Sequence, residues 1–179
     1  MTTESQASVP ENKFTAADVA AILRERSWQT SELTEPQHAW CQRAAALLGP
    51  HCRDRAALED LLSLVFDYDA QAILAQVESH LVLSRYAARD ALRELAAQLL
   101  DPAPLTTERF NLIIDAIKTR LDVRGRELFH TLRLALAGRV GAGELDRVAL
   151  LLDDGAAANF STPVKSARTR IIEFCAALD

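Results

Sequence analysis

From Val19 to Ala177 apolar residues recur three and four positions apart, the spacing that lines one face of an α-helix. Nowhere do they alternate with the period of two that a half-buried strand needs. Segment 15–28 places Val19, Ile22 and Leu23 on one side. Thr34 and Gln37 form a capping-box pattern that opens a second helix, which runs to Leu48 and stops at Gly49-Pro50. A third helix follows Asp54 with Leu58, Leu61, Leu62 and Val65 in register, and Phe66-Asp67-Tyr68-Asp69 breaks it. Asp69 then caps a short helix, and 82–100 reads as one long helix. Two prolines in Asp101-Pro102-Ala103-Pro104 bar helix continuation and mark a subdomain boundary. Beyond it Thr106 caps a helix carrying Phe110, Ile113, Ile114, Ile117 and Leu121. Gly125 separates this from a helix over about 126–137 that ends at Gly138. The turn Gly141-Ala142-Gly143 precedes a further helix through Leu152, and Ile171, Ile172, Phe174 and Ala177 mark the last one. The expected fold is all-α: two consecutive helical bundles, 14–100 and 106–179, joined by a Pro-containing link at 101–105. Residues 1–13 read as a disordered polar tail, with no signal or transit peptide.

Composition narrows the function classes. The chain has 179 residues and a net charge of −5, which excludes a strongly basic nucleic-acid-binding protein as a whole-chain description. No run of about 18 apolar residues offers a membrane span. Cys41, Cys52 and Cys175 are too few and of odd number for a disulfide framework, which points to a reducing, cytoplasmic setting.

Catalytic and metal motifs are absent from the sequence. There is no Gly-x-Ser-x-Gly elbow, phosphate loop, Gly-x-Gly-x-x-Gly run, His-Glu-x-x-His motif or Cys-x-x-Cys pair. His38, Cys41, His51 and Cys52 fit no standard zinc spacing and read as packing and loop residues. His80 and His130 have no partner at catalytic spacing. Asp67 and Asp69 flank Tyr68 at a helix break, where aspartates cap backbone N–H groups. No metal and no cofactor is expected.

The informative segment is 110–140. It holds Lys118, Arg120, Arg124, Arg126, Arg133 and Arg139 against Asp115, Asp122 and Glu127, a net +3, so the rest of the chain sums to −8. On helix 126–137, Arg126, His130 and Arg133 share a narrow stripe, with Leu128, Phe129, Leu132 and Leu136 roughly opposite. Guanidinium groups donate paired hydrogen bonds that suit phosphate and base edges. A solvated helix face is the plainer reading of the same charges.

The stretch from Leu121 to Arg139, Leu-Asp-Val-Arg-Gly-Arg-Glu-Leu-Phe-His-Thr-Leu-Arg-Leu-Ala-Leu-Ala-Gly-Arg, resembles the C-terminal signature of bacterial glutamyl-tRNA synthetases. That signature reads about Gly-x-x-Leu-Phe-x-Pro-Leu-Arg-x-Ala-Leu-Thr-Gly. Gly125, Leu128, Phe129, Leu132, Arg133, Ala135, Leu136 and Gly138 match it, and Glu144-Leu145 and Leu150 to Leu152 continue the match after the turn. Upstream, Leu61 to Asp69 is similar to the family's Asp-Tyr-Asp segment, so the resemblance covers about residues 50–155.

The resemblance implies an all-helical region that binds the anticodon of the tRNA for glutamate. It implies that Arg133 contacts the first anticodon base, and that residues corresponding to Ala142 and Leu145 approach it. Thr131 stands where the family has proline, Ala137 where it has threonine, and the turn at 141–143 lacks the family's proline. The family's catalytic chemistry uses His-x-Gly-His and Lys-x-Ser-Lys-like motifs in a separate domain. Neither occurs here, and the lysines are Lys13, Lys118 and Lys165 alone.

The expected function is therefore non-catalytic tRNA binding, by a stand-alone relative or by a partner of a separate catalytic half. An RNA loop would dock on Arg124, Arg126, His130, Arg133 and Arg139, with Ala142 and Leu145 at the turn. Exposed aromatics for stacking are scarce, with Phe129 placed inward, so binding is expected to be weak. The alternatives are a protein-interaction or structural module that kept the fold and lost RNA binding, and a fragment of a full synthetase.

Overall fold

The computed structural model describes residues 11–179, so most of the tail expected over residues 1–13 lies outside the described residues. Helices follow one another in the order α1 (Ala16–Glu25), α2 (Glu35–Leu48), a 3-10 turn (Gly49–His51), α3 (Arg55–Phe66), α4 (Ala70–Leu74) and α5 (Val77–Leu83). They continue with α6 (Ala88–Leu99), α7 (Thr107–Leu121), α8 (Gly125–Ala137), α9 (Gly143–Leu150), α10 (Leu152–Ala157) and α11 (Ala167–Leu178). The fold is all-α, with no strand among the described residues.

The starts and stops follow local chemistry. The Thr34–Gln37 capping box forms, with the Gln37 side chain accepting from the Thr34 N–H at 3.0 Å. Asp54 accepts from the Ala57 N–H at 2.8 Å at the start of α3. Asp69 accepts from Gln71 and Ala72 N–H groups at 2.9 and 3.2 Å at the start of α4. Thr106 does the same for α7 through the Arg109 N–H.

Three boundaries differ from the sequence reading. The long helix expected over 82–100 is two helices, α5 and α6, separated at residues 84–87. Ser84-Arg85-Tyr86-Ala87 holds no Gly or Pro, but Ala87 adopts the left-handed conformation at φ 57° and redirects the chain. The stop after α7 falls at Asp122, also left-handed, while Gly125 at φ 59° opens α8 instead of separating the two helices. The helix expected to run through Leu152 turns at Leu151 into α10.

The two sides of the 101–105 link share one core. A continuous set of buried apolar side chains takes in Val19, Leu48, Leu62 and Leu95 before the link and Ile117, Leu132, Leu151 and Phe174 after it. Helices on either side of the link meet, as α8 and α11 pack against α6. The link itself is held down by Arg109, which donates to the carbonyls of Gln98 at 2.8 Å, Asp101 at 2.9 Å and Ala103.

The C-terminal residues are integral to that core. Phe160 meets Trp40 and Phe66 edge-on at 5.1 and 5.4 Å, and Trp28 stacks on Phe66 at 4.8 Å. Arg170 of α11 is wholly buried and forms no ion pair among the described residues. Its guanidinium donates to the carbonyls of Leu64, Val65 and Leu136, at 2.6 to 2.9 Å, and lies 4.4 Å over the Tyr68 ring. These carbonyls belong to the last turns of α3 and α8, whose dipoles favour a cation. Burial lowers the Arg170 pKa to about 10, which leaves it charged at neutral pH.

Candidate nucleic-acid interface

Helix α8 is the structural axis of the candidate surface. It packs against α5, α6, α9 and α11, so its second half is enclosed nearly all round. Leu128, Leu132 and Leu136 point inward as expected, and Thr131, Leu134, Ala135 and Ala137 are buried with them. Thr131 Oγ1 donates to the Glu127 carbonyl at 2.8 Å, which satisfies its hydroxyl inside the core. At the C-terminal end Gly138 takes φ 79°, the left-handed conformation that favours glycine, with the Ile73 side chain close beside it. Only the first half of α8 shows a cationic face.

The structure separates the seven expected contact residues into four groups. Arg126 is exposed and forms no ion pair among the described residues. Arg124 is exposed beside Asp122 at 3.7 Å, a distance at which water screens most of the attraction. These two remain available to a phosphate.

Arg133 and Arg139 are committed internally. Arg133 Nε and Nη2 each donate to the Asp146 carboxylate at 2.8 Å, and Nη1 donates to the Gly141 carbonyl at 2.9 Å. Its side chain is 14% exposed, and its guanidinium sits 4.9 Å over the Phe129 ring. Arg133 therefore fastens the turn between α8 and α9. Phe129 is half-buried against this cation, not opposite it as the helical projection suggests. Arg139 forms a two-pronged pair with Asp60 of α3 at 2.6 and 3.1 Å, and this hydrogen bond holds the Asp60 carboxyl below its ordinary pKa.

Ala142 and Leu145 divide at the turn. Ala142 is exposed, and its N–H donates to Glu144 at 3.2 Å. Leu145 is 1% exposed and packs beneath Gly141, so a base reaching the turn meets backbone and Ala142, not the Leu145 side chain.

His130 joins α8 to the loop before α6. Arg85 Nη1 donates to His130 Nδ1 at 3.1 Å, which places the imidazole proton on Nε2. Burial, then the charges of Arg85, Arg133 and Arg126, lower the His130 pKa, with Glu78 opposing them. Arg85 thus extends the cationic face onto a second element. Sequence periodicity missed it, because a single helix was expected through residues 84–87. A charged and aromatic pair, Arg85-Tyr86, next to a helix boundary was the signal available.

A cleft of about 600 Å³ opens on the other flank of Arg133, between α7 and α9. Lys118, Phe129, Asn111, Arg147 and His51 line it, and the Lys118 Nζ lies 5.7 Å from the Phe129 ring. A second cleft of about 580 Å³ holds Asp67, Asp69 and Glu78. Asp69 there serves as the cap of α4.

The zinc-type residues are not brought together. His38 and His51 are exposed while Cys41 and Cys52 are buried, their thiols pushed up to about 11 by burial. No group of three or more metal-type ligands occurs among the described residues. No helix among them is long and apolar enough to cross a membrane.

An all-helical unit with a cationic helix face and a fastened α8–α9 turn now has a family to compare with. The family model described as "Anticodon binding domain" matches residues 12–155. The chain belongs to the anticodon binding domain family. No curated protein and no solved structure matches it. The anticodon binding domain match takes in every helix from α1 to α9, and the whole of the cationic face lies within it. Arg170 and α11 lie beyond the matched residues, although their contacts reach into its centre.

Proposed function

We propose that this anticodon binding domain acts as a non-catalytic tRNA-binding protein, docking an anticodon loop on the first half of α8. The observation that carries the reading is the convergence of Arg126, Arg85 and His130 on one face, inside the residues that match the family. Phosphates would meet Arg124, Arg126 and Arg85. Arg133 and Leu145 act beneath the surface and Arg139 acts at it through its pair with Asp60, holding the turn and the end of α8 in position. The resemblance around Arg133 nominates the tRNA for glutamate, and a separate synthetase catalytic half is the protein partner that fits a chain with no ATP-using motif.

Binding of a tRNA and of the same tRNA with its anticodon loop closed into a stem tests the reading. Preference for the open loop at low salt is expected. Equal binding of both, or none, contradicts it.

A second reading has its own observation. Val77 and Leu81, one turn apart on α5, are 76% and 62% exposed, which suits a protein-binding surface. A chain that kept the fold and lost RNA binding would co-purify with a protein partner and ignore tRNA at any salt.

A further inference from the structure

The loop between α5 and α6 presents one aromatic ring to solvent. Tyr86 is 79% exposed, the most exposed of the large apolar or aromatic side chains described. The other described aromatics of the fold are buried or half-buried: Trp28, Trp40, Phe66, Tyr68, Phe110, Phe160 and Phe174 in the core, Phe129 against Arg133, and Phe14 at its edge. An exposed tyrosine ring is open to contact from outside, apolar on its faces and polar at its hydroxyl.

Its neighbours say what kind of contact. Arg85, the preceding residue, bonds His130 at 3.1 Å, and successive Cα atoms are about 3.8 Å apart, so the Tyr86 backbone sits beside the cationic face of α8. Arg85, Arg126 and Arg133 all act electrostatically on His130, with Arg133 already paired to Asp146. Ala87 follows at φ 57°, where the chain turns into α6. An exposed ring on the residue next to Arg85, in the loop that bonds the cationic face of α8, matches a nucleotide: the ring takes the base and the cations take the phosphate. A purely apolar partner would gain nothing from the cations.

We infer that Tyr86 is a stacking platform for an unpaired base of a bound RNA, with Arg85 and Arg126 holding the flanking phosphates. The inference rests on the proposed RNA-binding reading and adds to it a residue and a loop outside the family signature helix. It also supplies the exposed aromatic for stacking that helix periodicity alone does not reveal. Because stacking accepts any base, Tyr86 supplies affinity and loop recognition and leaves sequence choice to other groups.

The test uses the full chain, an anticodon stem–loop RNA, and a duplex RNA of the same composition. Tyr86→Ala is expected to weaken stem–loop binding by about five- to a hundred-fold at unchanged salt slope. Tyr86→Phe is expected to bind like wild type, and Tyr86→Leu like the alanine variant. Tyr86→Trp adds a ring whose fluorescence the stem–loop should quench, against a background of the buried Trp28 and Trp40. Stem–loop binding within twofold of wild type in Tyr86→Ala, while Arg126→Ala weakens it, overturns the inference and leaves the RNA-binding reading standing. Equal losses on stem–loop and duplex, or full activity of Tyr86→Leu, also overturn it. Failure of the wild type to bind either RNA at low salt removes both.

Discussion

At the scale of single residues, the difference between an arginine that binds a partner and one that builds the site is decided by its neighbours. Arg133 has every feature of a contact residue in sequence, yet its guanidinium is spent on Asp146 and Gly141. Asp146 lies 13 residues away across a turn. No periodicity argument reaches across that turn, so the pair was illegible in sequence. Arg126 was legible because its exposure follows from helix phase alone.

A double-mutant cycle of Arg133→Ala and Asp146→Asn, read by chemical denaturation, is expected to give a coupling of about 1–2 kcal/mol. The side chains are only 14% and 21% exposed, so screening is limited. A coupling near zero would show that the pair does not hold the turn.

His130 carries a second prediction at this scale. Its pKa in the free protein is lowered by burial and by Arg85, Arg133 and Arg126, against Glu78. RNA phosphates beside those cations would offset their charge and raise it. A proton is then taken up on binding, so affinity is expected to rise as pH falls through the ordinary histidine range, about 6.5 and below. His130→Asn keeps an acceptor for Arg85 and is expected to flatten this dependence. The same slope in both proteins would exclude His130 as its source.

At the scale of elements, the helices followed from the sequence wherever their ends carried a capping side chain. Thr34, Asp54, Asp69 and Thr106 mark four starts in just this way. The break between α5 and α6 has no such mark, because a left-handed alanine runs against that residue's own preference. That single miss concealed both Arg85 and Tyr86. Helix α11 was visible as a helix, but its role was not: the Arg170 side chain bonds backbone carbonyls about a hundred residues away for α3 and 34 away for α8.

Arg170→Ala leaves those carbonyls without a donor in a dry interior. An unsatisfied buried polar group costs about 1–3 kcal/mol, so a total loss of roughly 3–5 kcal/mol is expected in denaturant titration. Arg170→Lys brings a point charge in place of a fork and is expected to recover only part of it. A loss under about 1 kcal/mol for the alanine variant would mean that α11 is not anchored through this side chain.

At the scale of the molecule, the proline link looked like a domain boundary because local chemistry there forbids helix. Whether helices on either side share a core is a long-range property, set by which faces meet. Here α6, α8 and α11 meet, and the core is continuous across the link. The net charge of −5 likewise hides its distribution. Excess positive charge gathers on α7 and α8 and is then thinned by internal pairing of Arg133 and Arg139. What is left, the exposed Arg124 and Arg126 and the half-buried Arg85 beside Tyr86, is a small footprint on an acidic protein, which predicts modest affinity with a shallow salt dependence.

The central claim is that this footprint binds RNA phosphates. The most direct measurement is tRNA affinity as a function of salt for the wild type and for the Arg124→Ala, Arg126→Ala double variant. Both side chains are exposed, so the variant is expected to keep the fold. The slope of log affinity against log salt should become shallower by about one unit for each phosphate that is no longer neutralised, with weaker binding throughout. An unchanged slope and affinity in the double variant would contradict the account.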